Sequence, residues 1–448
     1  MSLFFNNLTN LTHSQIKGNL EQNKTPKFVA KSKIFSSVIQ NELPFIEMKS
    51  LNYIDLFAGA GGLSEGFIKQ GYHPIAHVEM NTLACDTLKT RAAYHYFKEK
   101  NNVEFYHQYL KKEITREFFW SKAPQSLINS VINSEISKNS IATIFSQIDQ
   151  QLKNKKVDVI IGGPPCQAYS IIGRARDPKN MEDDPRNFLY KSYVQFLEKY
   201  NPKMFVFENV PGILSAKNGE HFDKIKKAIT KAGYNFDFKI LNAKDFGVLQ
   251  DRKRVILIGW KENFKLEYPT FNPQNNSYKI ITDLFADLPT LQNGQGNMGI
   301  VKYKKDTTDY LEKTGIRNCI DFTTQHIARP NNENDLEIYR IAVDEWAEGK
   351  RLNYATLPSR LIKHKNTTSF TNRFQVVNGK GCSHTVVAHI AMDGHYYIHP
   401  DKKQNRSITV REAARIQSFP DDFYFEGGRT AAFKQIGNAV PPLMAKAA

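Results

Sequence analysis

Ile160-Ile161-Gly162-Gly163-Pro164-Pro165-Cys166-Gln167-Ala168-Tyr169-Ser170 closes the apolar run Val157-Asp158-Val159-Ile160-Ile161. A β-branched run that stops abruptly in Gly-Gly-Pro-Pro reads as a buried parallel strand that delivers its next side chains into a crevice. Cys166 is the side chain delivered, and the two prolines restrict the approaching backbone so that the sulfur is held in one place. Taken alone, the stretch fits a small buried hydrophobe equally well, which is what most lone cysteines are.

The chain before it supplies the rest of a nucleotide-binding frame. Leu51 to Phe57 has the pattern of a strand, and Ala58-Gly59-Ala60-Gly61-Gly62-Leu63-Ser64-Glu65-Gly66-Phe67 turns from it into a helix. Glycines between strand and helix let the backbone come close to a ligand. Ser64 sits where a G-x-G-x-x-G dinucleotide fingerprint wants its last glycine, which argues against NAD. Pro74-Ile75-Ala76-His77-Val78-Glu79 is a second strand, ending in a carboxylate twenty residues after Gly59. An acid at that distance accepts hydrogen bonds from ribose hydroxyls in nucleotide-binding α/β folds, so Glu79 is the expected ribose ligand. Residues 81 to 156 are helical in pattern, strongly from Thr82 to Tyr96, and longer than an ordinary connection between strands. An insertion is therefore expected around Tyr94 to Lys122, with a third strand near Val131 to Ile136.

Beyond Cys166, Phe188 to Tyr200 is an amphipathic helix, and Lys203-Met204-Phe205-Val206-Phe207-Glu208-Asn209 is an apolar strand ending in polar residues. One helical crossover between them makes the Cys166 and Glu208 strands parallel neighbours with both side chains at one edge. Glycine turn, Glu79, Cys166 and Glu208 all fall at carboxyl ends of strands, where open α/β sheets bind ligands, and that convergence demotes the buried-hydrophobe reading of Cys166. Phe222 to Ala232 reads as a helix and Asn235 to Asn242 as a strand. Gln250-Asp251-Arg252-Lys253-Arg254 then leads into Val255 to Trp260; on a strand, Gln250, Arg252 and Arg254 share one face, forming either a clamp for a polar planar ligand or a solvated edge.

From Pro269 to His399 the regularity falls away. Between Arg360 and Arg406 there are eight Lys or Arg against two Asp, interleaved with Phe370, Phe374, Tyr396 and Tyr397. Basic, hydroxyl and amide side chains on irregular backbone are the inventory for phosphate and base-edge contacts. Regular structure returns with a helix after Thr409, whose partner Glu412 completes a capping box, and with Pro441-Pro442 opening a last helix. Residues 1–48 are polar and weakly periodic, an extension with little structure of its own. A formal charge of +16 points to a polyanionic partner, nucleic acid before membrane. The four cysteines, Cys85, Cys166, Cys319 and Cys382, show no short paired spacing for zinc or a disulfide framework. No secretory leader and no run near the roughly 18 apolar residues of a membrane span is visible, so a soluble protein of a reducing cytoplasm is expected.

Six ordered stretches together resemble the C5-cytosine DNA methyltransferase family, from Leu51 to Ala445: Asp55-Leu56-Phe57-Ala58-Gly59-Ala60-Gly61-Gly62, Gly163-Pro164-Pro165-Cys166-Gln167, Phe207-Glu208-Asn209-Val210, Gln250-x-Arg252-x-Arg254, Arg411-Glu412-Ala413-Ala414-Arg415 and Gln435-Ile436-Gly437-Asn438-Ala439-Val440. The resemblance implies a doubly wound, Rossmann-like α/β sheet that binds S-adenosylmethionine, with a smaller, irregular target-recognition domain. Residues 49–268 and 400–448 then form the catalytic domain and 269–399 the reader. Asp55, Phe57, Ala58, Gly59, Gly61, Gly62, Glu79, Met80, Asn438 and Val440 are implied around the cofactor, with Glu135 as the third-strand acid for the adenine where the family more usually has aspartate. Pro165, Cys166, Glu208, Arg252 and Arg254 are implied in catalysis, and Gln167, Ser170, Arg174, Arg176, Arg186 and Arg373 on DNA. No metal is implied.

The implied chemistry suits these side chains. Cytosine C5 is a poor nucleophile until a thiolate adds at C6, which Cys166 would supply while Glu208 meets N3 and Arg254 holds O2. The base must leave the helix for this, with the segment Gln167 to Arg186 closing over it. S-adenosylhomocysteine would be the product. The expected partner is double-stranded DNA, bound by a bacterial cytoplasmic monomer, alongside a restriction endonuclease of the same specificity and without a stable complex. Rival expectations are a tRNA cytosine methyltransferase of the same fold, a non-enzymatic relative, which would lack Cys166 or Glu208, and an NAD-dependent oxidoreductase.

Overall fold

The apolar runs of the sequence become the strands of one sheet. The computed structural model describes residues 50–165, 189–274, 277–318, 320–363 and 365–447. Its strands are β1 (Asn52–Leu56), β2 (His73–Glu79), β3 (Val131–Asn133), β4 (Val159–Gly162), β5 (Met204–Asn209), β6 (Tyr234–Asn242) and β7 (Lys253–Lys261), in the order β3-β2-β1-β4-β5-β7-β6. From β3 to β5 all neighbours run parallel, while β7 lies antiparallel between β5 and β6. The chain winds outward from β1 through β2 to β3 and then crosses back to β4 on the other side of β1. That reversal puts a crevice at the carboxyl ends of β1 and β4, where ligands of such sheets bind.

Both faces are covered, which is why the parallel strands read as unbroken apolar runs. Ile54, Leu56, Ile160, Phe205 and Phe207 pack to one side with Ile144 and Ile148 of the helix Ile141–Leu152, Tyr193 and Leu197 of Leu189–Tyr200, and Ile225 and Ile229 of Glu220–Lys231. Their alternates Tyr53, Ile161 and Val206 meet Leu63 and Phe67 of the helix Gly62–Lys69 and Met444 of the helix Pro442–Ala447 on the other. The approach there is close: a β-carbon on Gly66 would stand 2.5 Å from the Ala445 backbone.

In the stretch where an insertion was expected, two short helices, Val103–Leu110 and Arg116–Ser121, follow the long helix Thr82–Glu99, and a third, Gln125–Asn129, comes just after that stretch. Tyr94, Phe97, Tyr106 and Phe119 give them an aromatic core that also takes in Phe322. β3 falls inside the stretch where a third strand was expected.

Between β7 and the C-terminal helices lies mostly irregular chain, with an antiparallel pair β8 (Ile300–Lys302) and β9 (Phe322–Thr324). Among the described residues the expected irregularity is broken by the short helix Asp309–Thr314 and by the fifteen-residue helix Glu333–Ala347. Asn332 caps the longer one by accepting from the Asp335 N–H, and Leu336, Tyr339, Ala342 and Val343 recur on the buried side at helical spacing. Thr409 and Glu412 form the expected capping box of the helix Val410–Ile416. Its arginines are wholly buried: Arg415 grips Asp287 and Asp421, and Arg411 donates to the carbonyls of Thr324, Pro420 and Phe423. No helix among the described residues is long and apolar enough to cross a membrane.

Candidate active site

The turn after β1 is built from left-handed backbone, with Phe57 at φ +57°, Gly59 at +55° and Gly61 at +85°. Glycine adopts this freely; an aromatic side chain does not, so Phe57 is held there by its surroundings. Glu79, at the end of β2, holds the turn from below. Its Oε2 accepts from the Gly59 N–H at 2.9 Å and its Oε1 from the Asn81 N–H at 2.7 Å. Met80 beside it is 60% exposed. Asn133, at the end of β3, donates to the carbonyls of Glu79 (3.2 Å) and Met80 (3.0 Å), a tie between strand ends that sequence reasoning did not single out. Glu135 follows on the exposed side, between Ser134 and the buried Ile136.

Asp55 lies under the turn, 1% exposed, and its Oδ2 has no hydrogen-bond partner among the described residues. Burial, reinforced by neighbouring Glu79, pushes its carboxyl well above the usual carboxylate range. Ser64, the residue that breaks the dinucleotide fingerprint, serves a polar chain instead: its hydroxyl bonds Tyr53 and, at 2.9 Å, the His77 Nε2. From the far end of the chain, Val440 comes so near that a β-carbon on Gly62 would collide with its carbonyl. Asn438 ends the helix Arg429–Asn438, exposed.

The second half of the site stands at the ends of β4 and β5. Gly162 pairs with Phe207, so Gly163-Pro164 runs alongside Glu208-Asn209. Asn209, buried, donates its amide to the Pro164 carbonyl at 3.2 Å. Glu208 Oε1 meets Arg254 Nε at 2.8 Å, with both side chains largely shielded. Arg254 also donates from Nη1 to the Lys253 carbonyl. A carboxyl group held beside a guanidinium at a strand edge can exchange a proton or a hydrogen bond with a polar ring. Pro165 is half-buried there. Cys166, Gln167, Ser170, Arg174, Arg176 and Arg186 lie outside the described residues.

Three of the expected site residues are bonded within the fold. Arg252 is 1% exposed and precedes β7 rather than lying on it; its terminal nitrogens donate to the carbonyls of Val386 (2.7 Å) and Ala439 (2.9 Å). Gln250 likewise joins Val386 to Ile416 and Gln417. Both side chains are buried, so the pair is not a solvated edge; it bolts the irregular interval and the C-terminal helices to the sheet. Arg373 turns inward on its own loop, donating to the carbonyls of Asn366, Ser369 and Phe370.

Comparison with known proteins identifies the family. The family model for C-5 cytosine-specific DNA methylase matches residues 51–114 and 118–448. The type II methyltransferase M.Bpa9945I of Bacillus paralicheniformis is 43% identical over 428 residues, covering 87% of this chain and 96% of its own. M.DdeI of Desulfomicrobium norvegicum is 31% identical, covering 89% and 87%, and M1.HphI of Haemophilus parahaemolyticus 30%, covering 89% and 85%. A solved DNA modification methyltransferase from an E. coli prophage shares the fold at a TM-score of 0.57 and 23% identity, over 89% of this chain and 97% of that one. With a mostly parallel sheet, a glycine turn braced by an acid and a second carboxylate paired to arginine at the neighbouring edge, the chain belongs to the C-5 cytosine-specific DNA methylase family.

Proposed function

We propose that the protein transfers a methyl group to C5 of a cytosine in a specific duplex DNA sequence, through a covalent bond between Cys166 and C6. The observation that carries this is the Glu208–Arg254 pair at 2.8 Å beside Gly163-Pro164, at the same edge as the glycine turn. S-adenosylmethionine fits the first half of the site: Asp55 keeps a buried oxygen without a partner among the described residues, and the left-handed turn opens backbone to a ligand. Phe57, Ala58, Gly59, Gly61 and Gly62 would line it, with Glu79 at the ribose, Met80 and Glu135 at the adenine, and Asn438 and Val440 closing it from the C-terminal side. When bound it supplies an electrophilic methyl group.

The chain's own residues prepare the base. The Cys166 thiolate forms a bond to C6, and the electron pair displaced from the C5–C6 double bond is drawn into the ring toward N3, where Glu208 donates a proton or hydrogen bond. Arg254, with Nε and Nη1 engaged, offers Nη2 to O2. C5, now nucleophilic, takes the methyl group; solvent water then accepts the C5 proton, the N3 proton returns to Glu208, and re-forming the C5–C6 double bond expels the thiolate. Gln167, Ser170, Arg174, Arg176 and Arg186 would grip the strand from which the cytosine has been extruded.

Residues 269–399 would read the sequence, residues 49–268 and 400–448 perform the chemistry, and the net charge of +16 would draw in the duplex. Because relatives bear the name of type II methyltransferases, protection of bacterial cytoplasmic DNA against a partner endonuclease is the proposed role. Duplex DNA bearing 5-fluorocytosine at the target should trap wild type covalently, since fluorine does not leave as a proton does. Trapping that survives in Cys166→Ala overturns the nucleophile, and transfer to tRNA without transfer to duplex DNA overturns the substrate.

A further inference from the structure

Within the irregular interval one loop is built to hold a single ring in the open. Between Lys365 and Arg373 the chain folds on itself: the Asn366 Oδ1 accepts from the N–H groups of Thr368 (3.1 Å) and Ser369 (2.9 Å). Arg373 turns back into the loop. Its Nε donates to the Phe370 carbonyl at 3.1 Å, and its Nη2 to those of Asn366 (2.9 Å) and Ser369 (3.3 Å). Its guanidinium lies over the buried Tyr354 ring, 4.3 Å from the centroid, and the Tyr354 N–H in turn donates to the Thr371 carbonyl at 2.7 Å. Phe370 stands in this frame at φ +56° with 57% of its surface exposed.

Both features run against the ordinary preferences of the residue. A bulky aromatic in the left-handed region is strained, and here the three carbonyls converging on Arg373 impose the conformation. Burial would explain the strain, but the ring faces water. A phenyl ring offers no hydrogen bond, so it contributes only when another apolar or flat surface covers it. Its exposed neighbours are Lys363, Lys365, Thr368, Ser369 and Asn372, which suit phosphate and base-edge contacts rather than an apolar protein face. The flat surface available beside phosphates is a base, whose face becomes open once a neighbour leaves the stack.

We propose that Phe370 stacks its ring on a base face left uncovered when the target cytosine is extruded, and that Arg373 is the positioning residue that holds the ring there without touching DNA. The proposal rests on the duplex-methylating function above. It replaces the expectation that Arg373 itself contacts the nucleic acid.

The test uses the full chain and a duplex of the sequence it methylates, identified by bisulfite sequencing, with 2-aminopurine next to the target. Phe370→Ala should weaken duplex binding about tenfold to a hundredfold, leave S-adenosylmethionine binding unchanged and lose the quenching of 2-aminopurine. Phe370→Trp should keep the affinity, with its indole emission quenched by the duplex. Phe370→Gly should bind as weakly as Phe370→Ala yet melt at a higher temperature than wild type, because glycine relaxes the left-handed position. Arg373→Gln should weaken binding in the same way while the slope of affinity against salt stays unchanged. Wild-type-like binding by Phe370→Ala and Phe370→Gly overturns the stacking role, and a slope reduced by about one unit in Arg373→Gln makes that residue a phosphate contact instead. Methyl transfer by wild type, measured on the same duplex, reports separately on the underlying function, and its absence overturns both.

Discussion

Gly163 and Glu208 stand so close that no side chain fits between them: a β-carbon on Gly163 would lie 2.5 Å from the Glu208 Oε2 and 3.1 Å from its carbonyl oxygen. The parallel register of β4 and β5 sets this distance, because Gly162 is already paired with Phe207. Glycine before the two prolines is therefore a condition for the carboxylate to stay on Arg254. Gly163→Ala should displace the carboxylate, the softer of the two obstacles. Methyl transfer should fall by about two orders of magnitude, the scale of a mispositioned catalytic group, with little change in melting temperature. An Ala variant with wild-type turnover would show that the carboxylate need not hold its place.

Removing the charge without the shape tests the same group differently. Glu208→Gln keeps a hydrogen-bonding side chain beside Arg254 but can no longer cycle a proton. Turnover should drop by roughly two to four orders of magnitude. Cofactor affinity, measured by calorimetry, should stay where it is; a large loss of that affinity with turnover intact would move Glu208 to the other half of the site.

Glu79 makes the complementary case. Its two oxygens each take a backbone N–H, from Gly59 and from Asn81. In Glu79→Gln one of these donors must face an amide NH2 group, so the turn loosens. The dissociation constant for S-adenosylmethionine should rise by about tenfold to a hundredfold, the scale of a charged hydrogen bond, and saturating cofactor should restore most of the turnover. Unchanged affinity would place the ribose elsewhere.

Acid should weaken the fold through buried histidines. His326 bonds Thr409 and the Pro289 carbonyl, and burial lowers its pKa from 6.5 to about 4. Between those values the unfolded chain binds a proton that the folded one does not, so stability is full above 6.5 and is lost as pH falls toward 4. Asp55 acts in the opposite sense, since its raised carboxyl pKa favours the folded state as pH falls. The contribution is therefore read as a difference. Between about pH 7.5 and about pH 5.5, wild type should lose on the order of 1 kcal/mol more than His326→Gln in urea titrations. Parallel curves would mean that His326 is not held neutral.

The parallel strands were legible because their code is local: Val159, Ile160 and Ile161, like Phe205, Val206 and Phe207, announce a strand covered on both sides. Thr409 and Glu412 announced a helix start just as locally. The helix Glu333–Ala347 was overlooked amid turn-forming neighbours, although Asn332 as cap and the spacing of Leu336, Tyr339 and Val343 carried its signal. The setting of Gln250 and Arg252 was hidden for another reason. Their alternation with Arg254 fits a strand face, yet β7 begins only at Lys253, and their partners at Val386, Ile416 and Ala439 are remote in sequence. The ties made by Asn133 and Asn209 were likewise invisible because their acceptors are main-chain carbonyls at or just past the ends of neighbouring strands.

Those carbonyl acceptors have an evolutionary consequence. Arg252 reaches Val386 and Ala439, and Arg411 reaches Thr324, Pro420 and Phe423, through oxygens that every amino acid carries. A fastening of this kind is indifferent to which side chains the fastened segment bears. On the proposed assignment of sequence reading to the chain between β7 and the C-terminal helices, side chains there can change at these carbonyl contacts while the fastening holds, and a new preference for neighbouring bases would leave the chemistry as it is.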